Sequence, residues 1–290
     1  MTGLRDAKKA ELREKLHHAA IARFREDGYL FLPAYLDRQQ VTAASVEIMD
    51  RMAAVAGREL DFEELGAHVR LDNPSLDRVL HEGPMIAFYE FFLDGPVRYF
   101  DYTWFRYKGP KANSATPPHY DGIFMNRGTK HLYTSWTPFC DIPIEKGGIM
   151  LLEGSHKLDE LIAGYGQTDV DLYCETEEAI ALVEQARRED RKLTADERQL
   201  IEWNSTGAYP GGAIETQRQH GGRWLTADYR MGDLLVFGMH MMHASHDNQT
   251  EELRISTDSR YQLASEPVDE RWVGDNPSAH SIHAKRGTIC

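Results

Sequence analysis

Apolar residues recur along this chain with two periods, and the changes from one to the other mark out its elements. From about Asp6 to Glu26 the spacing is helical, and Asp27-Gly28 stops it ahead of a short strand, Tyr29-Leu-Phe-Leu-Pro33. A second helix is predicted from about Asp37 to Ala56, with Asp37 as N-cap and Gly57 as stop. Alternation takes over at Val97 to Lys108. It sets Tyr99, Asp101, Thr103, Phe105 and Tyr107 against Phe100, Tyr102, Trp104, Arg106 and Lys108, a mixture of polarity on both sides that suits a barrel strand with a solvated interior.

Short β segments then recur at Thr129 to Cys140, Gly148 to Glu153, Trp224 to Tyr229, Leu234 to Met242 and Leu253 to Ala264, with turn residues between them. The pattern predicts a mainly β fold: a double-stranded β-helix (a cupin-like jelly roll) with N-terminal and inserted α-helices packed around it. The insert is helical from Glu175 to about Asn204. Ala179, Leu182, Val183 and Ala186 form its apolar stripe, and Thr194-Ala-Asp-Glu197 restarts it as a capping box. Such a stripe marks a packing helix more often than a lid. Gly207 to Gly222, with its two Gly pairs and few apolar anchors, predicts a mobile loop near the site. One domain is expected over 1–290: a helical part to about 95, a core over about 97–265 holding an insert at about 157–223, and a tail at 266–290.

The 290 residues are 41% hydrophobic, enough to bury one large core. Lys plus Arg number 33 against 46 Asp plus Glu, and the net charge of -13 disfavours nucleic acid and anionic membrane surfaces as partners. Cys140, Cys174 and Cys290 are far apart and odd in number, so they suggest neither a disulfide framework nor a zinc knot, and a reducing, cytoplasmic setting fits them. The N-terminal stretch carries no apolar signal core, and no run is long enough to span a membrane.

Candidate chemistry gathers at three places. His119-Tyr-Asp121 follows Pro117-Pro118, and on a strand its two outer side chains would share a face. The segment from Gly232-Asp233 to His246 holds three histidines. A strand over Leu234 to Met242 puts Leu235, Phe237, Met239, Met241 and His243 on one face, with His240 and His246 on the other. All three read equally well as ordinary histidines when the segment stands alone. The next segment shifts the balance: a polar turn from Asn248 and a second alternating strand return Arg254, eleven residues after His243, to its neighbourhood. Two imidazoles and a carboxylate suit non-haem Fe(II) with open positions for a bidentate 2-oxo acid and dioxygen. A guanidinium nearby is built to clamp the acid's far carboxylate. Arg260 shares the strand face of Arg254 and competes for that role from further along. Arg106 reads either as a substrate or cosubstrate contact or as half of a buried ion pair.

These elements, taken with Phe24-Arg-Glu-Asp-Gly28-Tyr, Trp136-Thr-Pro-Phe-Cys-Asp141-Ile-Pro143, Gly147-Gly148, Glu153-Gly154-Ser155-His156 and His243-x-Ser245, resemble the phytanoyl-CoA dioxygenase family, a branch of the Fe(II)- and 2-oxoglutarate-dependent oxygenases. The resemblance runs to about Gln262, but the stretch between His156 and Trp224 has no counterpart in the family pattern. It implies that His119, Asp121 and His243 ligate iron, that Arg254, Ser245 and Trp136 contact 2-oxoglutarate, and that dioxygen is consumed in hydroxylating a small-molecule substrate, with release of succinate and CO2. Family members that transfer halide replace the carboxylate with a small residue; this chain keeps Asp121. Two other readings remain open: a cupin-type metal enzyme that does not use 2-oxoglutarate, and a non-catalytic small-molecule-binding protein of the same fold.

Overall fold

Helix α1 (Thr2–Asp27) ends where the sequence says it must, at Gly28. Its φ of 79° is one a side chain rarely adopts, and a Cβ there would sit 2.4 Å from the His156 ring. The chain enters β1 (Tyr29–Leu32) and then α2 (Arg38–Ala54), whose first N–H groups at Gln39 and Gln40 are accepted by the Asp37 carboxylate. Asp37→Ala is expected to lower stability by about 1 kcal/mol, read as an earlier urea midpoint with unchanged slope. The computed structural model describes residues 2–60, 62–171, 177–191, 193–194, 196–197, 207–275 and 277.

Three further helices follow, α3 (Phe62–Arg70), α4 (Pro74–Leu80) and α5 (Gly83–Phe92). The strand expected over Val97 to Lys108 is broken into β2 (Val97–Tyr99) and β3 (Trp104–Lys108). Between them the Tyr102 N–H turns away to the Trp272 carbonyl, and Phe100, Tyr102 and Trp104 pack with Trp272 in a separate aromatic cluster. The remaining strands are β4 (Tyr133–Pro138), β5 (Ile149–Leu152), β6 (Trp224–Leu225), β7 (Leu234–Gly238), β8 (His243–Ser245) and β9 (Arg254–Leu263). They form two antiparallel sheets: six strands in the order β1-β7-β4-β9-β2 with β3 also on β9, and three in the order β6-β5-β8.

Register on β9 separates two environments. Trp104 lies opposite Asp258, Arg106 opposite Ser256, and Lys108 opposite Arg254, while β4 sets Thr134 against Arg260 and Trp136 against Asp258. Opposed residues in an antiparallel pair share a face, so these polar side chains line one face together. The other face carries Phe105, Ile255, Tyr261, Leu234 and Val236, which bury with Val41, Ile48, Val69, Leu76, Phe88 and Phe92 of the helices. At about 25 cal/mol per Å² of apolar surface, that helix-backed layer is the main stabilising mass beneath the polar face.

Two further sequence expectations need correction here. The strand from Leu234 does not run to Met242: it stops at Gly238, the Met241 N–H bonds the Gly238 carbonyl, and the chain crosses to the other sheet, where His243 opens β8 opposite Leu151. The stretch from Gly207 to Gly222 is no simple loop either. Gly212–His220 is an α-helix, entered through Gly211 at φ 88°, with Thr216 buried and the Trp224 indole N–H bonding the Ala213 carbonyl. Its Ala-Ile-Glu-Thr-Gln-Arg-Gln run has ample helix propensity once the glycines supply the turn. In the insert, α6 (Asp159–Ala163) and α7 (Glu177–Arg188) are helical, and the Thr194–Glu197 box forms with both reciprocal bonds. Cys174, Cys290, His280 and His283 lie outside the described residues. Among the described residues, no helix is long and apolar enough to cross a membrane.

Candidate active site

His119 and His243 are joined through their backbones, each donating its N–H to the other's carbonyl at 3.0 and 3.1 Å. This isolated bridge, and not a strand carrying His-x-Asp, sets the site. Asp121 begins a 3-10 turn (Asp121–Ile123) that curls its carboxylate back toward both rings. The ligand atoms of His119, Asp121 and His243 all lie within 4.8 Å of one another, and the three residues are buried.

Each imidazole is set to bind through Nε2. His119 Nδ1 donates to the Pro117 carbonyl at 2.8 Å and His243 Nδ1 to the Met241 carbonyl at 2.9 Å. A ring whose Nδ1 holds the proton presents its Nε2 lone pair. Burial first, then repulsion from His243, pushes the His119 pKa down to about 3, so the ring is neutral at ordinary pH. Burial alone would raise the Asp121 pKa; Arg260, His243, His119 and the Thr134 hydroxyl outweigh it and hold the carboxyl well below the usual range. Two imidazoles presenting Nε2 and one ionised carboxylate, buried and oriented, fit Fe(II).

Beside this cluster lies a cavity of about 340 Å³, lined among others by Lys108, Thr116, His119, Trp136, His243, Ser245 and Arg254. Arg254 is 3% exposed, and its Nε is buried with no hydrogen-bond partner among the described residues. Its guanidinium lies 5.4 Å from the Trp136 ring centre, so Trp136 supports it from one side. Ser245 Oγ accepts from Lys108 Nζ and from the Thr116 N–H, both at 2.8 Å. With both lone pairs engaged, its own proton is left to donate into the cavity. Burial, then Arg254, lowers the Lys108 pKa to about 7. Lys108 does not stand out in the sequence; its only signal is the same strand parity as Arg106.

Arg106 lines the cavity, and its Nε donates to Asp258 at 2.8 Å in a half-buried ion pair. Arg260 does not reach the cavity and instead binds Asp121. His240 and His246 stay outside the cluster, and His240 packs edge-on against Tyr120. His156 bonds the Arg25 carbonyl, as a turn residue would. Gln217, Arg218 and His220 bond Gly222, Glu215 and Tyr209 and do not line the cavity.

Known proteins of similar sequence and fold show the family to which the chain belongs. The family model described as Phytanoyl-CoA dioxygenase (PhyH) matches residues 24–256. The 1-deoxypentalenic acid 11-beta-hydroxylase of Streptomyces exfoliatus is 29% identical over 147 residues, 46% of this chain and 52% of its own length, and its Streptomyces arenae counterpart is 26% identical over the same shares. The chain thus spans about half the length of the curated relatives it matches. Among solved structures, EctD from S. alaskensis with 2-oxoglutarate and 5-hydroxyectoine superimposes with TM-score 0.58 at 15% identity, over 93% of this chain and 87% of that one. The non-heme alpha ketoglutarate dependent epimerase SnoN from nogalamycin biosynthesis gives 0.54 at 20%, over 89% and 85%. At such identities the superpositions speak for a shared fold, and the family match speaks for descent: the chain belongs to the phytanoyl-CoA dioxygenase family of Fe(II)- and 2-oxoglutarate-dependent oxygenases.

Proposed function

We propose that this protein is a 2-oxoglutarate-dependent non-haem iron oxygenase that hydroxylates an unactivated C–H bond of a small molecule, releasing succinate and CO2. One observation carries the reading: His119 and His243 of the buried His119, Asp121, His243 cluster line a cavity that Arg254 also lines, its Nε unsatisfied among the described residues. The two sheets serve in this reading as the faces of a double-stranded β-helix, within a single domain.

In the reaction, His119 and His243 offer Nε2 and Asp121 a carboxylate oxygen to Fe(II), which when bound supplies the oxygen-activating chemistry that side chains lack. Arg254, Lys108 and the Ser245 hydroxyl bind the distal carboxylate of 2-oxoglutarate. Arg254 and Lys108 together bring two positive charges to a dianionic cosubstrate. Trp136 holds the guanidinium in place and keeps water from its face, which strengthens the pairing. Hydroxylase and epimerase relatives, and the net charge of -13, support a small-molecule substrate over a nucleic acid.

Anaerobic Fe(II) titration with and without 2-oxoglutarate tests the proposal. The weak visible charge-transfer band of a chelated 2-oxo acid on ferrous iron is expected only when both are present. Iron binding without that band would favour a cupin-type enzyme or a binding protein instead.

A further inference from the structure

Arg260 has no part in clamping a cosubstrate, yet it sits at the centre of the site. Its side chain is 1% exposed, and its Nη2 lies 3.0 Å from both Oδ1 and Oδ2 of Asp121. Thr134, its partner across the β4–β9 register, donates its hydroxyl to Oδ2. Oδ1 instead faces His243, 3.8 Å from Nε2. Oδ2 therefore carries two donors and Oδ1 only one, so that Oδ1, on the side of His243, keeps a free lone pair.

The rest of the guanidinium is poorly satisfied. Nε and Nη1 are buried without hydrogen-bond partners among the described residues, and the group rests on the Trp104 ring at 4.4 Å. Desolvating a charge for one carboxylate contact and a ring face is a weak stabilising device. A buried arginine kept at that cost is better explained by what it does to Asp121 than by its contribution to the fold.

We propose that Arg260 is a positioning residue which, with Thr134, presents Asp121 to the metal through Oδ1 alone. This rests on reading His119, Asp121 and His243 as the metal ligands. A carboxylate free to swing can bind a metal through both oxygens and occupy a position that a chelating 2-oxo acid or dioxygen needs. Holding Oδ2 would prevent this and would keep positions on a bound metal free for both.

The test uses the full chain and Co(II), an air-stable reporter whose visible d–d absorption intensifies as coordination number falls. Arg260→Met is expected to weaken Co(II) binding by about 10- to 100-fold, the range for losing a hydrogen-bond partner of a metal ligand, and to change the d–d band. Arg260→Lys, with the charge but not the planar fork, should fall between. Thr134→Val should alter the band, and Thr134→Ser should restore it. Circular dichroism identifies folded variants; if Arg260→Met does not fold, the Thr134 pair decides. A folded Arg260→Met with wild-type affinity and band, or Thr134→Val indistinguishable from Thr134→Ser, overturns the positioning role. Asp121→Asn separates this from failure of the metal site itself: if wild type binds no Co(II), or binds it regardless of Asp121, both readings fall.

Discussion

Replacing His243 with alanine is expected to abolish turnover and reduce Fe(II) affinity by more than the about 100-fold that loss of a ligand's hydrogen-bond partner costs, while His240→Ala retains bound iron. The contrast is sharp because the residues are three apart and equally capable as imidazoles. His243 is fixed by two backbone bonds to His119 and by Nδ1 donation to Met241, which aim Nε2 at Asp121. His240 lies in the crossing between the sheets, against Tyr120, with its Nε2 close to Gly122. Losing that ring removes packing worth about 1 kcal/mol and no ligand. Metal content after anaerobic loading and desalting, with a thermal melt of each variant, reads both outcomes. Iron retained by His243→Ala and lost from His240→Ala would mean the cluster is not the metal site.

The ends of the helices are legible in the sequence because their signals are local: Gly28 and the Asp37 cap fall where expected. His119, Asp121 and His243 are also legible, although two long strands are not what brings them together. Alternation runs uninterrupted through Leu235, Phe237, Met239, Met241 and His243, so side-chain period cannot reveal that the backbone leaves one sheet at Gly238 and joins the other at His243. Parity likewise places Arg254 and Arg260 on one face correctly but cannot say what each reaches. Six residues of extended chain separate them by about 20 Å, enough to put one beside the cavity and the other beneath Asp121. Lys108 and Thr134 are hidden at the level of sequence because their importance comes from register, opposite Arg254 and Arg260, between segments far apart in the chain.

Arg254→Met is expected to weaken 2-oxoglutarate binding by about 3 kcal/mol, about a hundredfold, with Fe(II) affinity little changed, since it removes one partner of a desolvated charge pair and touches no ligand. Lys108 makes this result pH-dependent. Its pKa is lowered to about 7 by burial and then by Arg254, so the free site loses that charge as pH rises through about 7. An arriving carboxylate favours the ammonium; cosubstrate affinity should therefore be greatest below about pH 7 and decline toward pH 9. Lys108→Met should bind more weakly at low pH and show little of this slope. Removing the Arg254 charge also relieves its repulsion on Lys108, so the decline in Arg254→Met should move to higher pH. Charge-transfer titrations of wild type and both variants across that range measure all three curves. If Arg254→Met keeps wild-type affinity and its midpoint, the two cations do not share one carboxylate, and the cosubstrate lies elsewhere.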